Sequence, residues 1–563
     1  MHARHIASLA IIAAAAVGLV IHMGAPAPDE QGESYIVQGR DLATVRASVE
    51  SVGGEITHEL GIIRAVGALV TPAQASRLEE MPGTRIFGNQ KIDVAAKKPK
   101  NPPDLGTVYP TLVGAKLLHD QGITGADVTV AVLDTGWDNF GAFSLDTVGE
   151  WRVLDSYDAI QDVIVGLPWR GPIYYPSSYG ENDGNGHATH IMSIALSSGN
   201  TNYDSPQDGL YHGIAPDADL VVVKAFDSNG QGTYADVIRG IGWVVSNQPT
   251  YDIRVLNCSF SAPPRSHYWD DPLNQAIMAA WQAGIVVVAS AGNTGPEPMT
   301  VGVPGNVPYI ITVGAMSDAY TPTDPEDDYL TSFSSVGPTY EGFVKPDIVA
   351  PGGHMIGLIP YYSTIQVEHP EFYDDDRKFT MSGTSQAAAV VTGAVALMLD
   401  ADPMLTPDDI KCRLLATASP ATDSRDNVGY SIFQQGAGMI NVHEAVSSSA
   451  VQCANLGLDI DNDLLGVEHF GGRARQAPDG SFFIEGLDGL EWDGTYNSSS
   501  GYIWNDGFIW NDGYIWNDGF IWNDGFIWND GFIWNDGFIW NDGYIWNDGL
   551  VEPMAVNFWV PQE

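Results

Sequence analysis

Five apolar runs constrain this chain more than any other feature: "DVTVAVLDTG", "ADLVVVKAF", "DIRVLNCSF", "GIVVVASAGN" and "YIITVGAM", spread between Asp127 and Met316. Each is about one strand long, rich in Val and Ile, and lacks the in-out alternation of a sheet with one wet face. Strands that read this way are buried on both faces, which requires a parallel sheet with helices packed on either side. The predicted class is therefore α/β, three-layered, with a mostly parallel sheet. In such sheets reactive groups gather at the carboxyl ends of the strands. Several of the runs lead into polar residues there: Asp134, Asp227, Ser259 and Asn293.

The rest of the chain divides around this block of residues 105–450. Residues 1–27 read as a signal peptide, with Arg4 before an apolar run from Ile6 to Ile21 and small residues in "GAPAPDE". Cleavage near Ala25 or Ala27 is the expectation, with an uncleaved anchor as the alternative. No later segment reads as a bilayer span. Residues 33–95 alternate strand-like and helical stretches in the order β-α-β-β-α-β, which predicts a small α/β domain. "AAKKPKNPPD" follows with three Lys and three Pro, an exposed and cleavable linker. Residues 451–500, rich in Gly and Asp and without helical pattern, are expected to be a linker or small β segment. The balance of 25 basic against 70 acidic residues, a net −45, excludes nucleic acid and anionic membrane as natural partners and suits a secreted, extracellular protein.

Three short segments carry the chemistry. "VAVLDTGWD" delivers Asp134 at a strand end, "NGHATHIMSIAL" puts His187 at the start of a helical run, and "TMSGTSQAAAVV" puts Ser385 at the opening of a long small-residue helix. Singly, each has a plain explanation as a turn, a cap or an N-cap serine. Together they supply a nucleophile, a base, and a carboxylate to orient the base. Asn293, after "VVVASAGN", adds an amide donor for an oxyanion.

In order, spacing and flanking residues these segments resemble the subtilisin-like serine proteases, the subtilases, over residues 105–450. "DSNGQGTYADVIRGIGW", "LNCSFSA", "SFSSVGP", "VKPDIVAPG" and "QQGAGMINVHEAV" are also similar to that family. The resemblance implies that Asp134 orients His187, that His187 is general base then acid, and that Ser385 attacks the scissile carbonyl. Asn293 and the Ser385 N–H would then form the oxyanion hole. It also implies an extended peptide held between two segments, with Ser259, Phe260, Ser261, Gly230 and Gly232 as substrate-binding residues, and a 33–95 propeptide that chaperones and inhibits. The implied function is a secreted serine endopeptidase acting on proteins or peptides and made as a self-inhibited precursor. Departures from the family pattern are Ala188, Gln386 and Ala389, and Ser261 and Ala262 where glycine is common. They put specificity in question more than activity. A non-catalytic binding protein on the same scaffold is the competing hypothesis, disfavoured by the intact set of four residues.

Other features carry weaker expectations. Cys412 and Cys453 can pair, leaving Cys258 in an apolar strand as a small hydrophobe. His190, three residues after His187, is read as structural. No cofactor is required for the chemistry. Subtilases often bind calcium, and "DIDNDLLG" is dense in oxygen ligands, yet it lacks the glycine and terminal Glu of an EF-hand loop, so a structural calcium stays unassigned. Residues 501–549 hold eight copies of [YF]IWNDG, with residues 550–563 after them. The turn signal Asn-Asp-Gly predicts short strands in a β-rich or irregular tail. Three uses stay open: packing, export, or binding of polysaccharide or a cell surface.

Overall fold

The structure, a computed structural model, describes residues 32–89, 91–93, 108–165, 183–199, 211–321, 327–374, 377–422, 428–487, 489–497 and 503–504. The predicted signal peptide, the Lys/Pro linker and the repeats after Trp504 lie outside the described residues.

The N-terminal unit runs β1 (Glu33–Gln38), α1 (Leu42–Val52), β2 (Glu55–Leu60), β3 (Ala65–Val70), α2 (Pro72–Glu79) and β4 (Arg85–Gly88), the element order that its alternating pattern predicts. Asp41 caps α1, and Thr71 with Gln74 forms a capping box on α2. Its four strands pair antiparallel in the order β2-β3-β1-β4. Because successive strand residues point to opposite faces, Val37 and Val66 pack under the two helices while Ile36 and Ala65 join the main core. The unit thus buries its second face on the large domain. A three-residue strand, β5 (Lys91–Asp93), follows.

The large domain is built on β6 (Thr129–Asp134), β7 (Val153–Asp158), β8 (Val163–Ile164) and β9 (Asp219–Lys224). After a short β10 (Gln231–Thr233) come β11 (Ile253–Cys258), β12 (Val286–Ser290), β13 (Ile311–Ser317), β14 (Tyr329–Leu330) and β15 (Ile348–Pro351). Parallel pairing runs β15-β13-β12-β11-β6-β9-β7, with β14 and β8 as short antiparallel additions. Every residue of β6, β12 and β13 is buried, as the apolar runs require. The chain builds outward from β6 to one side, then returns beside it with β11 and builds to the other. The β6/β11 boundary is therefore the topological switch point, where a site is expected at the carboxyl ends.

Helices α3 (His187–Leu196), α4 (Tyr234–Tyr251), α5 (Pro272–Gln282) and α6 (Thr384–Ala401) cover the sheet, with α3 packed on α6 and α4 on α5. By length and hydropathy α6 qualifies as a membrane span, which corrects the expectation that no later segment does. It is 89% buried inside the protein, so it is the core helix. A hairpin of β16 (Met355–Leu358) and β17 (Lys378–Met381) leads into α6.

Beyond Thr406, α7 (Pro407–Thr417) carries Cys412, which is joined to Cys453 by a disulfide. A two-residue β18 (Ala421–Thr422) comes next. Residues 451–497 fold onto the domain. Against the expectation of no helix, α8 (Ile460–Leu465) forms there, capped by Asp459. A hairpin of β19 (Ala474–Gln476) and β20 (Phe482–Ile484) then buries Phe482 and Trp492 against Phe433. The first hexapeptide supplies β21 (Ile503–Trp504), antiparallel to β18.

Candidate active site

Asp134 is the last residue of β6 and fully buried, so its carboxylate needs fixed partners. His187 Nδ1 lies 2.8 and 2.9 Å from its two oxygens, and the Thr135 N–H donates to Oδ1 at 2.7 Å. His187 is the first residue of α3 because Gly186 turns the chain in the left-handed region, at φ 102°. A side chain at Gly186 would start 2.7 Å from Ser363 Oγ.

Two residues that the sequence reading passed over clamp this turn. Asp183 Oδ1 accepts from the Thr135 hydroxyl at 2.7 Å and the Gly186 N–H at 2.8 Å, while Oδ2 accepts from the Thr189 N–H at 2.8 Å. The Thr135 oxygen in turn accepts from the Ala188 N–H at 3.0 Å. Asp183 and Thr135 thus tie the first turn of α3 to the end of β6 and fix the imidazole against Asp134. The signal was present: an Asp four residues before His187 is capping chemistry.

With Nδ1 held by the carboxylate, His187 Nε2 is buried and has no hydrogen-bond partner among the described residues. That is an imidazole fixed in one tautomer with its basic nitrogen open. His190 differs. Its Nε2 is 3.0 Å from the Phe379 carbonyl, and burial pushes its pKa down to about 3. It is a neutral structural residue, as predicted.

Ser385 sits in the first turn of α6, where backbone N–H groups lack intrahelical acceptors. Its hydroxyl donates to the Ser259 carbonyl at 3.0 Å, and the Ser259 hydroxyl returns a bond to the Ser385 carbonyl at 3.0 Å. The serine is therefore parked on the exit of β11 and makes no hydrogen bond to His187 in this state. Catalytic hydrogen bonds often form only with substrate present. Asn293 Oδ1 accepts from both the N–H and the hydroxyl of Thr384, at 2.9 and 2.8 Å. This fixes the carbonyl end of the amide and leaves its NH₂ unpartnered among the described residues.

The predicted substrate-binding residues fall into two groups. Ser259, Phe260 and Ser261 continue β11 beside Ser385. The Phe260 ring is buried against Phe226, with centroids 5.2 Å apart, so Phe260 offers only backbone. Gly230, at φ 72°, closes the turn before β10, and a side chain on Gly232 would start 2.6 Å from the Ala225 carbonyl oxygen. The edge of β10 is taken by β5: Gln231, Gly232 and Thr233 pair antiparallel with Asp93, Ile92 and Lys91.

Two departures from the family pattern are benign. Ala188 and Ala389 lie inside unbroken helices. Gln386 is fully buried, and neither its Oε1 nor its Nε2 has a hydrogen-bond partner among the described residues. An orphaned amide next to Ser385 is costly and marks a polar site. Cys258 is buried in β11 with its thiol pushed well above the usual range by burial, so it is no nucleophile.

"DIDNDLLG" does not fit calcium. Asp459 caps α8 and Asp461 accepts from Gln282. Asp463 accepts from the Tyr268 hydroxyl at 2.5 Å, the Tyr309 hydroxyl at 2.9 Å and His469 Nδ1 at 2.7 Å. Among the described residues no group of three or more His, Cys, Asp or Glu could hold a metal ion.

Comparison with known proteins agrees with this geometry. The model of the Subtilase family matches residues 125–438. Serine protease AprX of Bacillus subtilis (strain 168) is 36% identical over 333 residues, 58% of this chain and 68% of that protein. Subtilisin DY of Bacillus licheniformis is 31% identical over 336 residues, 59% of this chain and 96% of its own length. Among solved structures, fervidolysin from Fervidobacterium pennivorans, described as a keratinolytic enzyme related to subtilisin, aligns with TM-score 0.55 at 21% identity. That alignment covers 76% of this chain and 62% of the fervidolysin chain, and at such identity it speaks for the fold alone. The chain belongs to the subtilase family and is a serine-type endopeptidase with the subtilisin-like α/β fold.

Proposed function

We propose that the peptide bond is cut by Ser385, His187 and Asp134 acting through an acyl-enzyme, with Asn293 and the Ser385 N–H receiving the oxyanion. The observation that carries this is His187, held through Nδ1 by Asp134 while Nε2 stays buried and unpartnered. On substrate binding the Ser385 hydroxyl leaves the Ser259 carbonyl and gives its proton to Nε2 as its oxygen bonds the scissile carbon. The imidazolium then protonates the departing amine, and water reverses these steps to free the acid. Asp134 stabilises the charged imidazole throughout.

The same reading makes residues 33–95 an inhibitory propeptide and the enzyme a secreted precursor. β5 on the edge of β10 supports this, because an added strand there occupies the place of an extended substrate. The scissile region would be the Lys/Pro-rich linker after it. Expression of Ser385→Ala tests both halves: the chain should keep its N-terminal unit attached and hydrolyse nothing, whereas the unaltered protein separates from it. If the variant matures and cleaves peptides normally, the proposal fails. The aromatic repeats suit a polysaccharide or cell-surface partner, tested by glycan retention after deletion of residues 501–563.

A further inference from the structure

Eight copies of one hexapeptide follow Gly501, and the first is seated on the large domain. Ile503 pairs with Thr422 and Trp504 with Ala421, antiparallel, so β21 adds a strand to β18. The inner edge of β18 is used within the domain. The Gly429 N–H donates to the Ala421 carbonyl at 2.7 Å, the Ala421 N–H donates to Gln435 Oε1 at 2.8 Å, and Thr422 bridges Val428. Successive strand residues turn their backbone groups to opposite edges, so those of Thr422 face outward, toward Ile503. The platform is firm, because Met439 bridges both Ser419, just before β18, and Val349 of β15 in the main sheet.

An edge of this kind reads backbone, and the hexapeptide sequence is suited to offer it. Tyr or Phe, Ile and Trp favour strands, and Asn-Asp-Gly ends a strand after those three residues. Every copy therefore brings the same short strand to β18. Main-chain pairing tolerates the one difference among copies, Tyr or Phe at the first position. Distance separates them only slightly. The Tyr496 hydroxyl donates to the Leu330 carbonyl at 2.6 Å and fixes the chain seven residues before Ile503 and thirteen before Ile509 of the second copy. Loop closure worsens as the 3/2 power of length, so the second copy reaches the edge about threefold less well than the first.

We infer that the outer edge of β18 is a docking site for the hexapeptide itself, and that the copies are interchangeable strand donors to it. The occupant is a copy from the same chain, because the short tether gives it an effective concentration that a second chain does not match. One copy fastens the array to the large domain and leaves the others for a further partner. Loss of the first copy hands its place to the second.

The test uses the full chain with Thr422→Cys combined with Ile503→Cys, Ile509→Cys or Asn511→Cys, equilibrated in glutathione buffer and mapped by mass spectrometry. Residues paired across two strands lie within disulfide reach. The expected result is a link within one chain from position 422 to 503, and a link from 422 to 509 that forms about threefold less. Deleting residues 502–507 should raise the 509 link to the level seen at 503. The Asn511→Cys link, out of register, should form about tenfold less than the 509 link. No link at 503, none at 509 in either background, or equal links at 509 and 511 overturns the inference. Links between chains in place of links within one overturn it too. Amide exchange in chains without new cysteines gives an independent reading should those variants fail to fold. Protection of Thr422 should survive deletion of residues 502–507 and fall about tenfold or more on deletion of residues 502–549. Equal loss in both deletions, or loss in neither, overturns the inference.

Discussion

On the proposed mechanism Asp183 and Thr135 reach the chemistry through His187, whose orientation depends on the first turn of α3 staying locked to β6. A shift of the imidazole by about an ångström can cost on the order of 100-fold in rate. Asp183→Ala is accordingly expected to lower kcat by about 10–100-fold with KM little changed, measured on any cleaved peptide. On the proposed mechanism Asn293→Ala should cost about 100–1,000-fold in kcat, since it removes a donor used only as the oxyanion forms. His190 allows a stability prediction. Its pKa is about 3 in the fold against an ordinary 6.5, so between those values the unfolded chain takes up a proton that the folded protein refuses. Stability is therefore undiminished by this residue well above pH 6.5 and falls, by on the order of 1 kcal/mol per pH unit, from there down to about pH 3. Denaturant titrations at pH 6.5 and 4.5 should show a larger loss for the unaltered protein than for His190→Gln. The four candidate site residues stand out in the sequence because each ends or begins a strongly patterned run. Thr135 and Thr384 do not, and Asp183 does only as capping chemistry before His187, because a bracing role depends on which distant turn the side chain meets.

At the scale of elements, the proposed competition between precursor and substrate rests on the pairing of β5 with β10. Proline at Ile92 would remove a backbone donor opposite Gly232. In an Ser385→Ala background, Ile92→Pro should raise amide exchange across Gln231–Thr233, and unchanged protection would show that the strand contributes nothing. The sheet itself was readable from its five apolar runs, since burial on both faces leaves a composition that few other arrangements share. The short β16–β17 hairpin, the helix α8 and the pairing of β21 with β18 were not. Elements of two to six residues carry too few positions to show a period, and tertiary contacts decide them.

Across the whole molecule, the C-terminal extension is fastened by the Cys412–Cys453 disulfide and by Phe482 and Trp492 against Phe433. Composition left two readings here, a linker or a small β segment, and the β19–β20 hairpin fits the second: Asp479 and Asp493 cap tight turns and Gly480 and Gly494 take positive φ within a packed segment. Replacing both cysteines by Ser should lower stability by about 2–4 kcal/mol, read from the denaturation midpoint. The central claim is that one serine, activated by one histidine, does the chemistry of the whole chain. A fluorophosphonate adduct mapped by mass spectrometry tests it most directly. One adduct per chain is expected, on Ser385, and it should be lost in His187→Ala; an adduct on another residue, or labelling that survives the loss of His187, would contradict the account.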